Sequence, residues 1–159
     1  MAEAKEIYGP TITLHWHKPI DVGAIAYDKN HPEVKDVIDD AGIYLFLREY
    51  GDSQEILYVG KASQLRRRIM QQLNARELVE HIQNSKRGKK ILRYATIEMN
   101  GNADKEKYLD EVESKFISMA LDLQDDIFNK RKTTYYINII INSGNYKPGK
   151  IDKNIYLVK

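Results

Sequence analysis

Two short apolar runs, GIYLFLR at residues 42–48 and EILYVG at residues 55–60, flank the polar stretch EYGDSQ. In the first, Ile43, Leu45 and Leu47 alternate with Tyr44, Phe46 and Arg48, the period-2 pattern of a strand. Gly51, Asp52 and Ser53 supply turn chemistry, and the second run returns as a strand that Gly60 ends. A β-hairpin with Tyr44 in one arm and Tyr58 in the other follows, and the rest of the chain has to be arranged around it.

Ser63 is placed as the N-cap of a helix over residues 64–73. Leu65, Ile69 and Leu73 form its apolar stripe; Arg68 falls about 60° from Leu65 and Arg67 on the far side. Arg68 is therefore the arginine most nearly turned towards the hairpin. A second helix covers residues 76–83, the basic loop SKRGKK follows, and ILRYATIEM reads as a third strand. The longest helix spans about residues 104–123. Taking Leu109 as the origin, Val112, Phe116, Met119, Ala120 and Leu123 lie within about 80° of it, and Glu113 at about 40°, whereas Glu111 projects from the opposite side. A carboxylate in an apolar stripe is costly to bury alone, so Glu113 needs an arginine, a hydrogen-bond network or a metal ion.

The chain opens with TITLHWH, which alternates as a strand, and passes Pro19, Gly23 and Pro32 into a short polar helix around EVKDVIDD. His15 and His17 share a strand face, but no third ligand lies near them in sequence, which disfavours a metal there. The tail holds a loop, FNKRKT, and two β-rich runs, YYINIII and NIYLV, with SGNYKPGK as the turn region between them. No internal repeat or low-complexity tract is evident.

At 159 residues the chain fits one structural domain. A hydrophobic share of 42% and a charged share of 30% are those of an ordinary globular protein and argue against long disorder. There is no cysteine, so disulfides and Cys-ligated zinc are excluded and a reducing, intracellular setting fits. Neither a signal-peptide pattern at the first residues nor a membrane-length apolar run is present, so a soluble, cytoplasmic protein is expected. The net charge of +2 conceals segregation. Residues 61–93 carry ten Lys/Arg against two Glu, and residues 130–159 carry seven against one acidic residue. Two basic segments thus face an acidic remainder, the usual footprint of phosphate-backbone binding and also the pattern of a solvated face.

Periodicity alone allows the hairpin tyrosines, an inward arginine and a stripe-borne glutamate to converge on one site, and equally allows half-buried tyrosines with a structural Arg68–Glu113 pair. The combination resembles the GIY-YIG nuclease family, with GIY at Gly42, Ile43 and Tyr44, and YVG standing for YIG at Tyr58, Val59 and Gly60. Arg68 stands ten residues after Tyr58, where the family carries its arginine, and EVESKFI places Glu113 on the later helix as its glutamate. GKASQLRRR, including Lys61, looks most like the nuclease domain of UvrC-type excision proteins. The resemblance covers roughly residues 41–129, leaving residues 1–40 as an N-terminal extension packed on the core and 130–159 as a β-rich C-terminal extension. The family's asparagine matches Asn129 after Phe128, with Asn138 as the alternative.

The resemblance implies an α+β fold, a small, mainly antiparallel sheet flanked by helices. It implies a DNA endonuclease using one divalent cation, Mg²⁺ or Mn²⁺, held by Glu113 with water and substrate oxygens completing its shell. Arg68 would clamp the phosphate through its fork of donors. Tyr58 would serve as general base, aided by Lys61 and the metal, since a phenol of pKa ~10 is mostly protonated at neutral pH. Tyr44 would orient water or Tyr58, the two tyrosines being exchangeable, and Asn129 would fix the site. Arg66, Arg67, Lys86, Arg87, Lys89, Lys90, Lys130, Arg131 and Lys132 would supply sequence-independent phosphate contacts. A catalytically silent nucleic-acid-binding module of the same fold is the alternative, and a purely structural domain a third reading. Target specificity would come from the extensions, a homodimer or a partner protein.

Overall fold

A computed structural model of the chain describes residues 11–23, 34–99, 105–123, 128, 139–145 and 154–156. The hairpin forms as β3 (Gly42–Tyr50) and β4 (Ser53–Ala62), joined through Gly51 and Asp52, with Gly51 at a φ of +58°. Two helices follow, α1 (Leu65–Leu73) and α2 (Arg76–Asn84), then β5 (Lys89–Met99), which pairs antiparallel with β3. The long helix is α3 (Lys105–Asp122).

Both flanks join this sheet. β1 (Thr11–Trp16) and β2 (Ile20–Asp21) precede the hairpin, and β6 (Ile139–Gly144) and β7 (Asn154–Tyr156) follow α3. The described strands form one seven-stranded sheet in the order β4-β3-β5-β1-β6-β7, with β2 also on β5. Its pairings are antiparallel except β1 with β6, which is parallel. The fold is α+β, and the sheet is larger than the hairpin and β5 alone would make it because the flanking segments add four strands.

The alternation along β3 divides the core into two layers. Ile43, Leu45 and Leu47 pack with Ile12, Leu14 and Trp16 of β1 under Leu109, Val112, Phe116 and Ala120 of α3. Tyr44 and Phe46 point the other way, against Leu65, Ile69 and Leu73 of α1 and Leu78 and Ile82 of α2. Trp16 closes the α3 side, meeting the Phe116 ring edge-on at 6.1 Å and donating its indole N–H to the buried Asn142 Oδ1 at 2.9 Å. In β4 the ladder slips between Phe46 and Leu47: Phe46 faces Tyr58 and Leu47 faces Ile56, leaving Leu57 as an extra residue. This bulge turns Leu57 and Tyr58 towards the same layer, while Ile56 and Val59 face α3.

Three local expectations are corrected. The described part of the EVKDVIDD segment, residues 34–40, forms no α-helix; Val34 lies in a 3-10 turn that gives way to a turn, with Val37 N–H donating to Val34 O at 3.1 Å and both valines sealed in the core. Asp39 and Asp40 then serve α1: Leu65 N–H donates to Asp40 O (3.0 Å) and Arg67 N–H to Asp39 Oδ1 (3.2 Å). Ser63 is consequently not the N-cap; Gln64 holds that position without a side-chain cap bond, because residues distant in sequence satisfy amides of the first turn. Glu111, expected to project away from the packed stripe of α3, is 4% exposed, so α3 is covered on a second side as well. No helix among the described residues is long and apolar enough to cross a membrane.

Candidate active site

The two motif tyrosines meet on the α1 side of the sheet. Their rings stack with centroids 5.9 Å apart and planes 25° from parallel, and Phe46 packs on both at 6.0 and 6.2 Å. Tyr44 stands opposite Gly60 in the ladder, and its ring fills the space a side chain at Gly60 would need; a Cβ there would collide with Tyr44 Cζ and its hydroxyl. Gly42 is equally constrained, because a Cβ would strike the Ala95 carbonyl. Both motif glycines are therefore places of close approach.

The environments of the two phenols differ. Tyr44 is fully buried, and its hydroxyl makes no hydrogen bond of normal geometry. Burial pushes its pKa far above the ordinary value, the neighbouring Tyr58 adds to this, and the Arg68 cation opposes it. Tyr58 is half-buried, and its hydroxyl oxygen accepts a hydrogen bond from Gln72 Nε2 at 3.1 Å. On its outer side lies the Phe128 ring, 6.2 Å away, itself 5.4 Å from His81 of α2. Phe128 is held on β4 by its own N–H, which donates to Leu57 O at 2.7 Å.

Beyond the end of β4 a cavity of about 430 Å³ opens between α1 and the first turns of α3, lined by Lys61, Gln64, Arg67, Arg68, Gln71 and Glu106 among others. Arg68 is exposed, donates to Gln71 Oε1 at 3.3 Å and is close enough to act on the Tyr44 hydroxyl. It links the tyrosine pair to the cavity. Lys61 also lines the cavity, with its ammonium 2.9 Å from Asp110 Oδ1 of α3, an ion pair that ties the end of β4 to that helix.

Glu113 is 8% exposed and lies on α3, the helix of the opposite sheet face from the tyrosines. It follows Leu109, which lines the cavity, by one turn and Asp110 by three residues, so it shares the flank of α3 that carries the Lys61 pair. Among the described residues α3 contributes Glu106 and Leu109 to the cavity wall, and Glu113 is not part of it. No three His, Cys, Asp or Glu side chains among the described residues cluster as a multidentate metal site requires. A single carboxylate suits a hard, weakly held cation that keeps most of its water, and does not suit a zinc-type site.

The basic residues divide between the two ends of the hairpin. Arg66 and Arg67 lie at the cavity end, with Arg66 3.6 Å from Asp39. Lys86, Arg87 and Lys89 are exposed at the other end, where Lys89 pairs with Glu49 in the β3–β5 ladder. Lys90 is not disposed towards a phosphate: its ammonium donates to Ser85 O (3.2 Å), Ser85 Oγ and Lys86 O (2.5 Å), bracing the loop from within. Burial and the nearby Arg48 lower its pKa. Asn129, Asn138, Lys130, Arg131 and Lys132 lie outside the described residues. The two histidines have ordinary partners: His15 Nε2 is 2.6 Å from Glu98 Oε2, and His17 bonds Thr96 Oγ1 at 3.1 Å and stacks on Tyr94.

Sequence reasoning missed Gln72, Glu106 and Asp110. Gln72 had a signal, since it follows Arg68 by four residues on α1 and so shares its face. Asp110 and Glu106 stand three and seven residues before Glu113, on the same flank of α3. No protein-family model, curated protein or solved structure matches the chain.

Proposed function

We propose that the chain is a divalent-metal-dependent DNA endonuclease of the GIY-YIG type, acting in the cytoplasm. The observation that carries this reading is the stacked Tyr44–Tyr58 pair over Gly60, joined through Arg68 to a cation-lined cavity. A packing role alone explains the stack but not an arginine and a lysine lining an open cavity at its border.

The difference between the phenols supports a division of roles. Tyr44 keeps its proton because it is buried, and its ring, stacked on Tyr58, orients that neighbour. Tyr58 can meet solvent and its oxygen is held by the Gln72 amide, which suits a base placed to reach water. Tyr58, once deprotonated to the phenolate by loss of its proton to solvent, takes a proton from water; the water oxygen forms a bond to phosphorus, and the opposite P–O bond breaks as the leaving oxygen is protonated from solvent. The Arg68 guanidinium holds the non-bridging oxygens as their charge grows, and Lys61 adds a second positive charge at the cavity wall. Mg²⁺ or Mn²⁺ held by Glu113 would supply further neutralisation of the phosphate. Target choice would come from the extensions, a homodimer or a partner protein.

A catalytically silent nucleic-acid-binding module is the second reading, and the position of Glu113, buried on the other face and off the cavity wall, favours it. The distinguishing experiment is conversion of supercoiled plasmid to nicked or linear DNA in Mg²⁺, Mn²⁺ or EDTA. Metal-dependent conversion supports the nuclease; salt-dependent binding without conversion supports the silent module.

A further inference from the structure

A second cavity, about 580 Å³, lies at the tip of the hairpin, lined by Glu49, Tyr50, Gly51, Arg87, Gly88 and Lys89. Its walls are held in place. Arg48 Nη1 donates to Arg87 O at 3.0 Å, while Arg48 Nε is anchored on Glu55 at 2.9 Å. Gly88, at a φ of +149°, lets the loop backbone lie flat on β3, where a Cβ would come within 2.7 Å of Glu49 O. The Lys90 ammonium ties Ser85 and Lys86 together from inside. A loop so braced presents its outward side chains in a fixed geometry.

The charge of the cavity is positive despite Glu49. That carboxylate accepts from Arg93 Nε (3.1 Å) and Nη2 (2.9 Å), with the side chains of both residues nearly buried. Arg87 and Lys89 are exposed, and neither side chain has a carboxylate partner among the described residues. Beside them Tyr50 is 56% exposed, the most exposed large hydrophobic side chain described. Two exposed cations next to an open aromatic ring form the combination that holds a nucleotide by phosphate and by base.

We infer that the hairpin tip is a separate single-strand nucleic-acid subsite, in which Tyr50 stacks on an unpaired base while Arg87 and Lys89 hold the flanking phosphates. The choice of nucleic acid rests on the nuclease reading, but the subsite's existence does not require catalysis. Gly42, opposite Ala62 at the cavity beside Arg68, and Glu49 at the tip are seven strand steps apart, about 23 Å. That span corresponds to about seven base pairs of duplex. A substrate gripped at both ends carries an unpaired stretch at that distance from the scissile phosphate.

The test is fluorescence anisotropy of a labelled single-stranded oligo-dT, about 20 nucleotides long, on the full chain in EDTA, which removes divalent cations. Tyr50→Ala should weaken binding about tenfold and Tyr50→Trp should retain it, as a stacking platform requires. Arg87→Ala with Lys89→Ala should reduce the slope of log K against log salt by about 1.4. Binding by both variants within about twofold of wild type overturns the subsite, as does equal displacement of the oligonucleotide by an acidic peptide. Failure of plasmid cleavage, with these losses present, would instead remove only the nuclease reading.

Discussion

The Tyr44 ring occupies the place where a side chain at Gly60 would stand, directly across the β3–β4 ladder. This relationship makes the GIY and YVG motifs one packing unit, because the second supplies the gap that the first fills. It also sets the Tyr44–Tyr58 stack, since Tyr58 is two residues before Gly60 on the same layer.

Gly60→Ala should therefore destabilise the fold by about 1–3 kcal/mol, the range for overpacking a filled site. Urea unfolding measures it. An unchanged midpoint would mean that the Tyr44 ring can move aside at little cost.

The Tyr44 hydroxyl is buried without a hydrogen bond of normal geometry, so Tyr44→Phe should leave stability unchanged or raise it by about 1 kcal/mol. The pH dependence gives a second readout. The folded protein holds the Tyr44 proton above the pH at which the unfolded chain releases it. The stability associated with the neutral phenol is complete below pH ~10 and is lost as pH rises further, at about 1.4 kcal/mol per unit. Wild type should lose stability faster than Tyr44→Phe between pH ~10 and ~11.5 by that slope.

Much of this site is legible in the sequence because it is local. The alternation in GIYLFLR, the Tyr58–Gly60 spacing and the stripe of Leu65, Ile69 and Leu73 each depend on neighbours a few residues away, and each matches the observed packing. What the sequence hides is set by partners far along the chain. Asp39 and Asp40 cap α1 in place of Ser63 across more than twenty residues, and the parallel pairing of β1 with β6 joins segments more than a hundred residues apart. The Leu57 bulge is concealed because three consecutive apolar residues carry no visible break in alternation.

Arg68→Lys should lower cleavage about a hundredfold while leaving stability within ~0.5 kcal/mol, because the side chain is exposed and a point charge cannot reproduce the guanidinium fork. Single-turnover rates with equally folded proteins check this. A rate within threefold of wild type would remove Arg68 from the phosphate.

Lys61 and Asp110 separate a catalytic from a structural role. Their pair is about one-third exposed, so breaking it from either side should cost at most ~1 kcal/mol. Lys61→Ala should reduce cleavage far more than Asp110→Ala, which leaves the ammonium in the cavity. Equal losses in both variants would assign the pair to structure alone.

Supercoiled plasmid cleavage in Mg²⁺ by wild type, Tyr58→Phe and Glu113→Gln, each shown to be folded by circular dichroism, decides whether the chain is a nuclease built on these residues. Wild type should nick or linearise the plasmid, EDTA should abolish this, and both variants should lose it. Cleavage by either variant at the wild-type rate, or none by wild type under any divalent cation, would contradict this assignment.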